Sequence, residues 1–394
     1  MSSPFSTLPP EFSRTLRLLA ICSFGSSVSM RVCDPMLPRL SEEFGGVATD
    51  MAPVVTAFAV AYGLFSLLHG PLGDRRGKVL VITWATLVAS IASLACMIAW
   101  SQHALVAFRF VAGAACAGII PLSLAWIGDN VDYEIRQPVL GRFAAAYTGG
   151  VVAGQVAGGL FTDTLGWRAA FMLPLVLFLI AGSMLLLREQ GKPAVARPAA
   201  VGAGYRSLLR SAWVRFILVA VGIEGALAFG AMAFVPSYLH ASFGMPLWRA
   251  GLVTAGFGVG GLAFAYLVPR LFARLGATGL AIAGAAAMAT GLSLIATAPG
   301  WPLVAAGAVI TGIGFSGLHN TLQTQATQMH PQARGAGIAV FAMCLFVGQS
   351  IGVALTAELI PLSGYRPAFA GLALGLLALG IVVRRQVRLR YPEG

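Results

Sequence analysis

Hydrophobic residues fill this chain in long blocks, separated by short polar stretches rich in arginine. A helix needs about 20 mostly apolar residues to cross a bilayer. Twelve blocks meet that length, near residues 17–38, 51–72, 79–100, 104–127, 138–161, 168–187, 213–239, 249–268, 278–298, 302–326, 335–358 and 364–384. A membrane β-barrel would instead show ~10-residue segments of alternating polarity. The pattern therefore predicts an all-α membrane protein. An even number of crossings puts both chain ends on one side. The longest polar stretch, residues 188–212, divides six helices from six. It predicts an N-terminal half over 1–187, a linker over 188–212 and a C-terminal half over 213–394.

Composition agrees. Of 394 residues, 58% are hydrophobic and 10% charged, against about 25% charged in a soluble domain. Mean hydropathy is +0.82. The 48 glycines suit helices packed closely in lipid. A formal net charge of +12 could suggest nucleic acid, but the positions of the charges argue against it. The termini and the loops sharing their side carry 20 of the 26 basic residues, and the opposite loops carry Arg39, Arg168, Arg249 and Arg366. Basic residues collect on the cytoplasmic side, so both termini are expected in the cytoplasm, and the protein in a bacterial-type inner membrane. The first apolar block runs on to Pro38 without a clear cleavage site, which reads as a retained helix. Cys22, Cys33, Cys96, Cys116 and Cys344 form no C-x-x-C pair, so neither a disulfide framework nor a zinc site is indicated.

Four charges fall inside the apolar blocks: Arg31, Asp34, Arg109 and Glu224. An ionisable residue at membrane depth is costly and by default marks an ion or substrate pathway. Arg31 and Asp34 are three residues apart and share a helix face. The other reading of that pair is a static ion pair that orients its helix. For Glu224 it is a structural carboxyl.

The halves also resemble each other at a constant offset. GWRAAF at 166–171 and GYRPAF at 364–369 are 198 residues apart, as are Pro38 and Pro236, and Arg136 and Arg334. Gly113 and Gly118 match Gly312 and Gly317 at 199. Two six-helix units in parallel orientation follow, a recurrent transporter design. Arg31, Asp34 and Glu224 correspond to Phe229, Met232 and Ser26. The charges are thus not required by the repeat, which favours function over folding.

The loop at 70–78, GPLGDRRGK, resembles the signature G-x-L-a-D-r-x-G-r of the major facilitator superfamily. RFVAGAACAG from Arg109 resembles the R-x-x-x-G motif of helix 4 in its twelve-helix drug:proton antiporter-like branch. GQVAGG at 154–159 resembles the branch's helix-5 motif G-P-x-x-G-G, with Gln155 in the proline's place. The resemblance covers almost the whole chain. It implies helices 1, 4, 7 and 10 around a central cavity, and a cytoplasmic latch built from Gly70, Asp74, Arg75, Arg76, Gly77 and Lys78. Asp129, Asp132 and Glu134 are candidate partners for Arg75 or Arg76. The C-terminal counterpart, PRLFARLG at 269–276, has Ala273 in place of Asp74, so the latch is expected to be asymmetric. Gly154, Gly158 and Gly159 are candidates for close packing beside Gln155.

Together these readings predict a secondary transporter of this type, exporting a small amphipathic molecule in exchange for protons by rocking alternating access. Asp34 is the first candidate proton carrier and Glu224 the second. His319, Asn320, Gln323 and Gln325 are candidate substrate contacts, or bridges between helices. Tyr62, Tyr147, Phe229 and Phe234 are candidates for an apolar pocket. Gln155 keeps open proton-coupled uptake or uniport of a metabolite; a non-transporting sensor or assembly factor is the remaining class. The expected partners are the substrate and the lipid bilayer, with no nucleic acid and a monomeric protein. No ATP-binding P-loop or nucleophile triad points to an enzyme, and no metal or organic cofactor is indicated, the proton serving as coupling ion. Two G-x-G-x-x-G matches, Gly256-Gly258-Gly261 and Gly312-Gly314-Gly317, lie inside apolar blocks and read as packing glycines.

Overall fold

The computed structural model describes residues 10–189, 209–329 and 334–390. Most of the expected linker lies outside them, as do the side chains of Glu134 and Arg334. Regular structure among the described residues is helical throughout. Eleven stretches are long and apolar enough to cross a membrane. In chain order with the helix Tyr133–Thr164, the spans are 1 (Phe12–Phe44), 2 (Ala48–Arg76), 3 (Lys78–Met97), 4 (Gln102–Asn130), 5 (Tyr133–Thr164), 6 (Trp167–Arg188), 7 (Ala212–Phe243), 8 (Leu247–Val268), 9 (Thr278–Thr297), 10 (Trp301–Ala326), 11 (Gly337–Ser363) and 12 (Tyr365–Arg390). Span 5 is the most polar because glycines and Gln155 dilute its apolar residues. Spans 8 and 9 belong to one 51-residue helix, broken at Gly276 with φ 61° and ψ −176°. That backbone suits glycine, which has no Cβ to clash.

The sequence repeat reappears as repeated packing. Gly113 of span 4 leaves no room for a Cβ against the Phe58 carbonyl of span 2, and Gly312 of span 10 stands likewise against Phe257 of span 8. Gly150 and Gly154 of span 5 seat on the Phe24 and Val28 carbonyls of span 1. Gly348 and Gly352 of span 11 seat on Gly222 and Ala226 of span 7. Each pair is its partner shifted by 198 or 199 positions. Small residues let helix backbones approach closely in lipid, where hydrophobicity cannot drive helices together. The dinucleotide-like glycines belong to this packing: Gly258 meets Val152, and Gly314 meets Gly284.

GWRAAF and GYRPAF have one role in each half. Gly166 and Gly364 turn the chain with φ 88° and 84°. Arg168 Nη2 then donates to the Ala99 carbonyl at 2.9 Å, and Arg366 Nη2 to the Ala298 carbonyl at 2.9 Å. Both carbonyls lie just past the C-terminal ends of spans 3 and 9, where helix acceptors lack internal partners and cations are favoured.

Between the halves, span 5 lies on span 8 and span 2 on span 11. Near the face remote from the chain ends the seams are tight. Gly159 abuts the Leu247 carbonyl, Gly251 abuts the Gln155 carbonyl, and the Trp248 amide donates to Asp163. There Val32–Pro38 and Val235–Leu239 are buried. Toward the face that carries the chain ends, Phe257, Phe315 and His319 remain partly accessible inside the bundle, and Asn320 and Gln323 are exposed. The halves are therefore closely apposed near the remote face, while these side chains of spans 8 and 10 are accessible toward the terminal face.

Candidate functional site

Span 1 is not one continuous helix. The helix Pro10–Arg31 ends, a 3-10 turn covers Asp34–Met36, and a second helix covers Leu37–Phe44. Pro35 and Pro38 lack the amide that would continue the first helix. The break has two consequences. Asp34 opens the turn and is 1% exposed. The terminal carbonyls of the first helix are also left for other donors. Arg109 of span 4 uses one of them: its Nη1 donates to the Ser29 carbonyl at 2.7 Å and its Nε to the Val54 carbonyl at 3.2 Å. Its guanidinium lies 4.3 Å from the Phe58 ring centroid, and the residue is fully buried.

Arg31 and Asp34 meet at 3.7 Å between Nη1 and Oδ2, across the helix break. The same Oδ2 accepts a hydrogen bond of 2.7 Å from Gln155 Nε2 of span 5. Asp34 Oδ1 and Arg109 Nη2 are buried without hydrogen-bond partners among the described residues. Burial destabilises a charged carboxylate, whereas a neighbouring cation and a donated amide stabilise it. Asp34 is thus poised between opposing influences that small movements can rebalance.

Arg31 also reaches the other half, with its guanidinium 4.4 Å from the Phe229 ring centroid in span 7. Residue 229 is the repeat counterpart of residue 31. Two equivalent positions can touch only close to the axis that relates the halves. Arg31 therefore lies beside the axis that relates the two halves.

Glu224 is fully buried in span 7, and its Oε2 is 3.0 Å from His319 Nδ1 of span 10. The sequence alone offers His319 no partner. His319 stacks on Phe315 at 5.0 Å and 14°, and lies 5.3 Å from Phe341. Phe315 in turn contacts Phe229 and Phe257 at 5.0 and 5.5 Å. An aromatic cluster thus runs from Arg31 to the Glu224–His319 pair, with Phe229 and Phe341 buried and Phe257, Phe315 and His319 partly accessible. With Nδ1 turned to the carboxylate, His319 presents its other ring nitrogen away from Glu224. Asn320 and Gln323 follow on span 10 toward the terminal face and are exposed. Tyr62 packs on Phe346 at 4.3 Å, Tyr147 contacts Phe143, and Phe234 is fully buried near the remote face.

At the terminal face Gly77 makes the expected turn, with φ 94° and ψ 130°. Lys78 Nζ lies 2.7 Å from Asp129 and 3.4 Å from Asp74. Asp129 is therefore held by Lys78, where the sequence suggested Arg75 or Arg76; those two arginines are exposed. Lys78 begins span 3, which puts its amine beside the end of span 4. Asp132 is exposed at the start of span 5, and its side chain makes no capping bond. Gly70 faces open space, and Gly73 makes the close contact instead, against Leu122 of span 4. Of the helix-5 residues, Gly154 and Gly158 pack on span 1 and Gly159 on span 8, with Gln155 between them. Among the described residues, no group of three or more His, Cys, Asp or Glu side chains is placed to hold a metal ion.

A family model described as Major Facilitator Superfamily matches residues 19–290 and 249–393. The uncharacterized MFS-type transporter YceJ of Bacillus subtilis is 26% identical over 365 residues, 90% of this chain and 91% of that protein. The multidrug export protein EmrB of Escherichia coli is 26% identical over 155 residues, 39% of this chain and 30% of EmrB. Among solved structures, an auto-inhibited POT family peptide transporter superposes with TM-score 0.79 at 15% identity, covering 97% of this chain and 98% of that one. The nucleoside transporter NupG superposes with TM-score 0.74 at 13% identity, covering 95% and 98%. At those identities the likeness is one of fold.

Proposed function

This chain belongs to the major facilitator superfamily, a family of transporters and not enzymes, and from that premise we propose that it exports a small amphipathic molecule in exchange for protons. The observation that carries the reading is the Arg31–Asp34 pair, buried in the membrane and touching the opposite half through Phe229. A proton on Asp34 removes the charge that attracts Arg31. Arg31 sits where the two halves meet, so its release changes the balance between closing one face and closing the other. A state equilibrium responds to a ligand only through differential affinity for the states, and the proton has it here because the contacts of Arg31 differ between them.

On this reading the substrate enters between the halves from the terminal face, whose excess of basic residues supports a cytoplasmic location. Phe257, Phe315 and His319 offer it flat apolar contact and one hydrogen-bonding nitrogen. Glu224, behind His319, is the second acid–base site. Its location on the other half lets substrate and proton act on different halves of one closing movement. The Lys78–Asp129 and Lys78–Asp74 contacts hold the ends of spans 2, 3 and 4 together at that face. They brace the N-terminal half's side of the latch that, on this reading, closes the terminal face when the remote face opens. EmrB, a multidrug export protein by name, supports the export direction.

The presence of Gln155 in place of the branch's proline favours one second reading, proton-coupled uptake or uniport. Lumenal pH in energised inverted vesicles, followed while a chemically broad compound panel is added, separates the two. Export predicts proton efflux on adding a particular compound, absent with Asp34→Asn. Import of labelled metabolites, with no proton response to any compound, would replace export by uptake.

A further inference from the structure

Gln155 has two sets of neighbours. Its side chain donates to Asp34, while its backbone carbonyl is in direct contact with Gly251 of span 8. On one flank of the same helix Gly154 and Gly158 rest on Val28, Val32 and Pro35 of span 1, and on the other Gly159 rests on Leu247 of span 8. Backbone touches backbone on both sides, with no side chain between to absorb a shift. Close-packed interiors transmit such shifts.

The amide orientation is dictated by its partner. An ionised carboxylate can only accept hydrogen bonds, so the NH2 group faces Asp34. Gln155 Oε1 is buried and has no donor among the described residues. Once Asp34 takes a proton on Oδ2, that oxygen carries an O–H and needs an acceptor. Half a turn of the amide supplies Oε1, and no existing hydrogen bond of Oε1 is broken. The other groups facing Asp34 are Arg31 and Cys33 on its own span and Arg109 from span 4. Span 8 contributes Arg249, exposed and lying over Trp248. The nearby helix Val235–Phe243 of span 7 contributes His240, held by the Met245 carbonyl. Arg31 links Asp34 to span 7 of the other half, and Gln155 links it to the seam between spans 5 and 8.

We propose that Gln155 is a positioning residue: its amide registers whether Asp34 carries a proton and transmits that state to the contact between spans 5 and 8. The proposal rests on Asp34 being the proton carrier, and the experiment separates the two claims.

The full chain in lipid nanodiscs, with Cys344→Ser, carries spin labels at Ala145→Cys and Tyr266→Cys, both exposed on spans 5 and 8. The label distance is measured across a pH series. In parallel, infrared difference spectra follow the carboxylic acid C=O band assigned to Asp34 by its loss in Asp34→Asn. In the otherwise native protein, band and distance change together. In Gln155→Met, which fills similar volume without hydrogen bonding, the band still appears, moved to higher wavenumber. The distance change is lost. Gln155→Asn, which keeps an amide, recovers part of it and provides the readout if the methionine variant misfolds. A native distance change in Gln155→Met, or no difference between Asn and Met at this position, overturns the proposal. A native pH response in Asp34→Asn instead removes Asp34 as the carrier.

Discussion

Removing either member of the Arg31–Asp34 pair should expose how strongly the two depend on each other. The charges are 3.7 Å apart and their side chains are 7% and 1% exposed. At an effective dielectric near 20, unit charges at that distance attract by about 4.5 kcal/mol. Part of this survives either single substitution. Arg31 keeps its contact with Phe229, worth about 1–2 kcal/mol when desolvated, and Asp34 keeps the Gln155 hydrogen bond. Even so, an uncompensated buried charge typically costs about 3–5 kcal/mol. Asp34→Asn and Arg31→Gln should therefore each destabilise the fold without abolishing it, and the double variant should be less damaged than the sum of the two. A coupling of about 2–3 kcal/mol is expected from a double-mutant cycle. The assay is equilibrium unfolding in mixed micelles titrated with sodium dodecyl sulfate, followed by tryptophan fluorescence. A coupling below about 0.5 kcal/mol, the additivity limit for independent sites, would show that the pair is not an interacting unit, and the proposed role of Arg31 would fall with it.

His319→Phe keeps the ring stack on Phe315 but leaves Glu224 buried without its partner. It should cost about 1–3 kcal/mol, and Glu224→Gln added to it should restore much of that in the same unfolding assay. Gly113→Ala and Gly312→Ala each push a methyl group into the backbone of the facing helix. They should lower stability by similar amounts, about 1–3 kcal/mol; a neutral result at either position would contradict the repeated crossing. Asp74→Asn removes one exposed charge beside Lys78, so stability should move by less than about 0.5 kcal/mol, while turnover slows more than equilibrium substrate binding weakens. Normal turnover with a large loss of affinity would contradict the latch.

The architecture was legible because the bilayer restricts the options. Only helices satisfy their own backbone across lipid, and length then counts them. The repeat was legible through Gly166 and Gly364 and through Gly113 and Gly312, positions where turn geometry or close backbone approach requires glycine. The four intramembrane charges identified the site without its wiring. Span 1 read as unbroken through Pro38, although Pro35 and Pro38 interrupt its helix and turn Asp34 toward span 5. Gln155 stands out in the sequence as a departure from a motif, but its contact with Asp34 joins residues 121 positions apart, a separation that local pattern does not reach. The Glu224–His319 pair escaped for the same reason, with its partners 95 positions apart on different spans. The basic partner of Asp129 turned out to be Lys78 because span 3 starts at that residue, a boundary that hydropathy locates only to within a few positions.

Proton coupling through Asp34 is tested most directly in proteoliposomes of the purified protein, loaded with a compound that gives the vesicle response. Accumulation of that compound against its own gradient should require an imposed pH gradient of the correct sign. Asp34→Asn should lose accumulation while still exchanging labelled for unlabelled compound across the membrane. Accumulation by Asp34→Asn at the native level would contradict the account, because the protons would then be carried elsewhere.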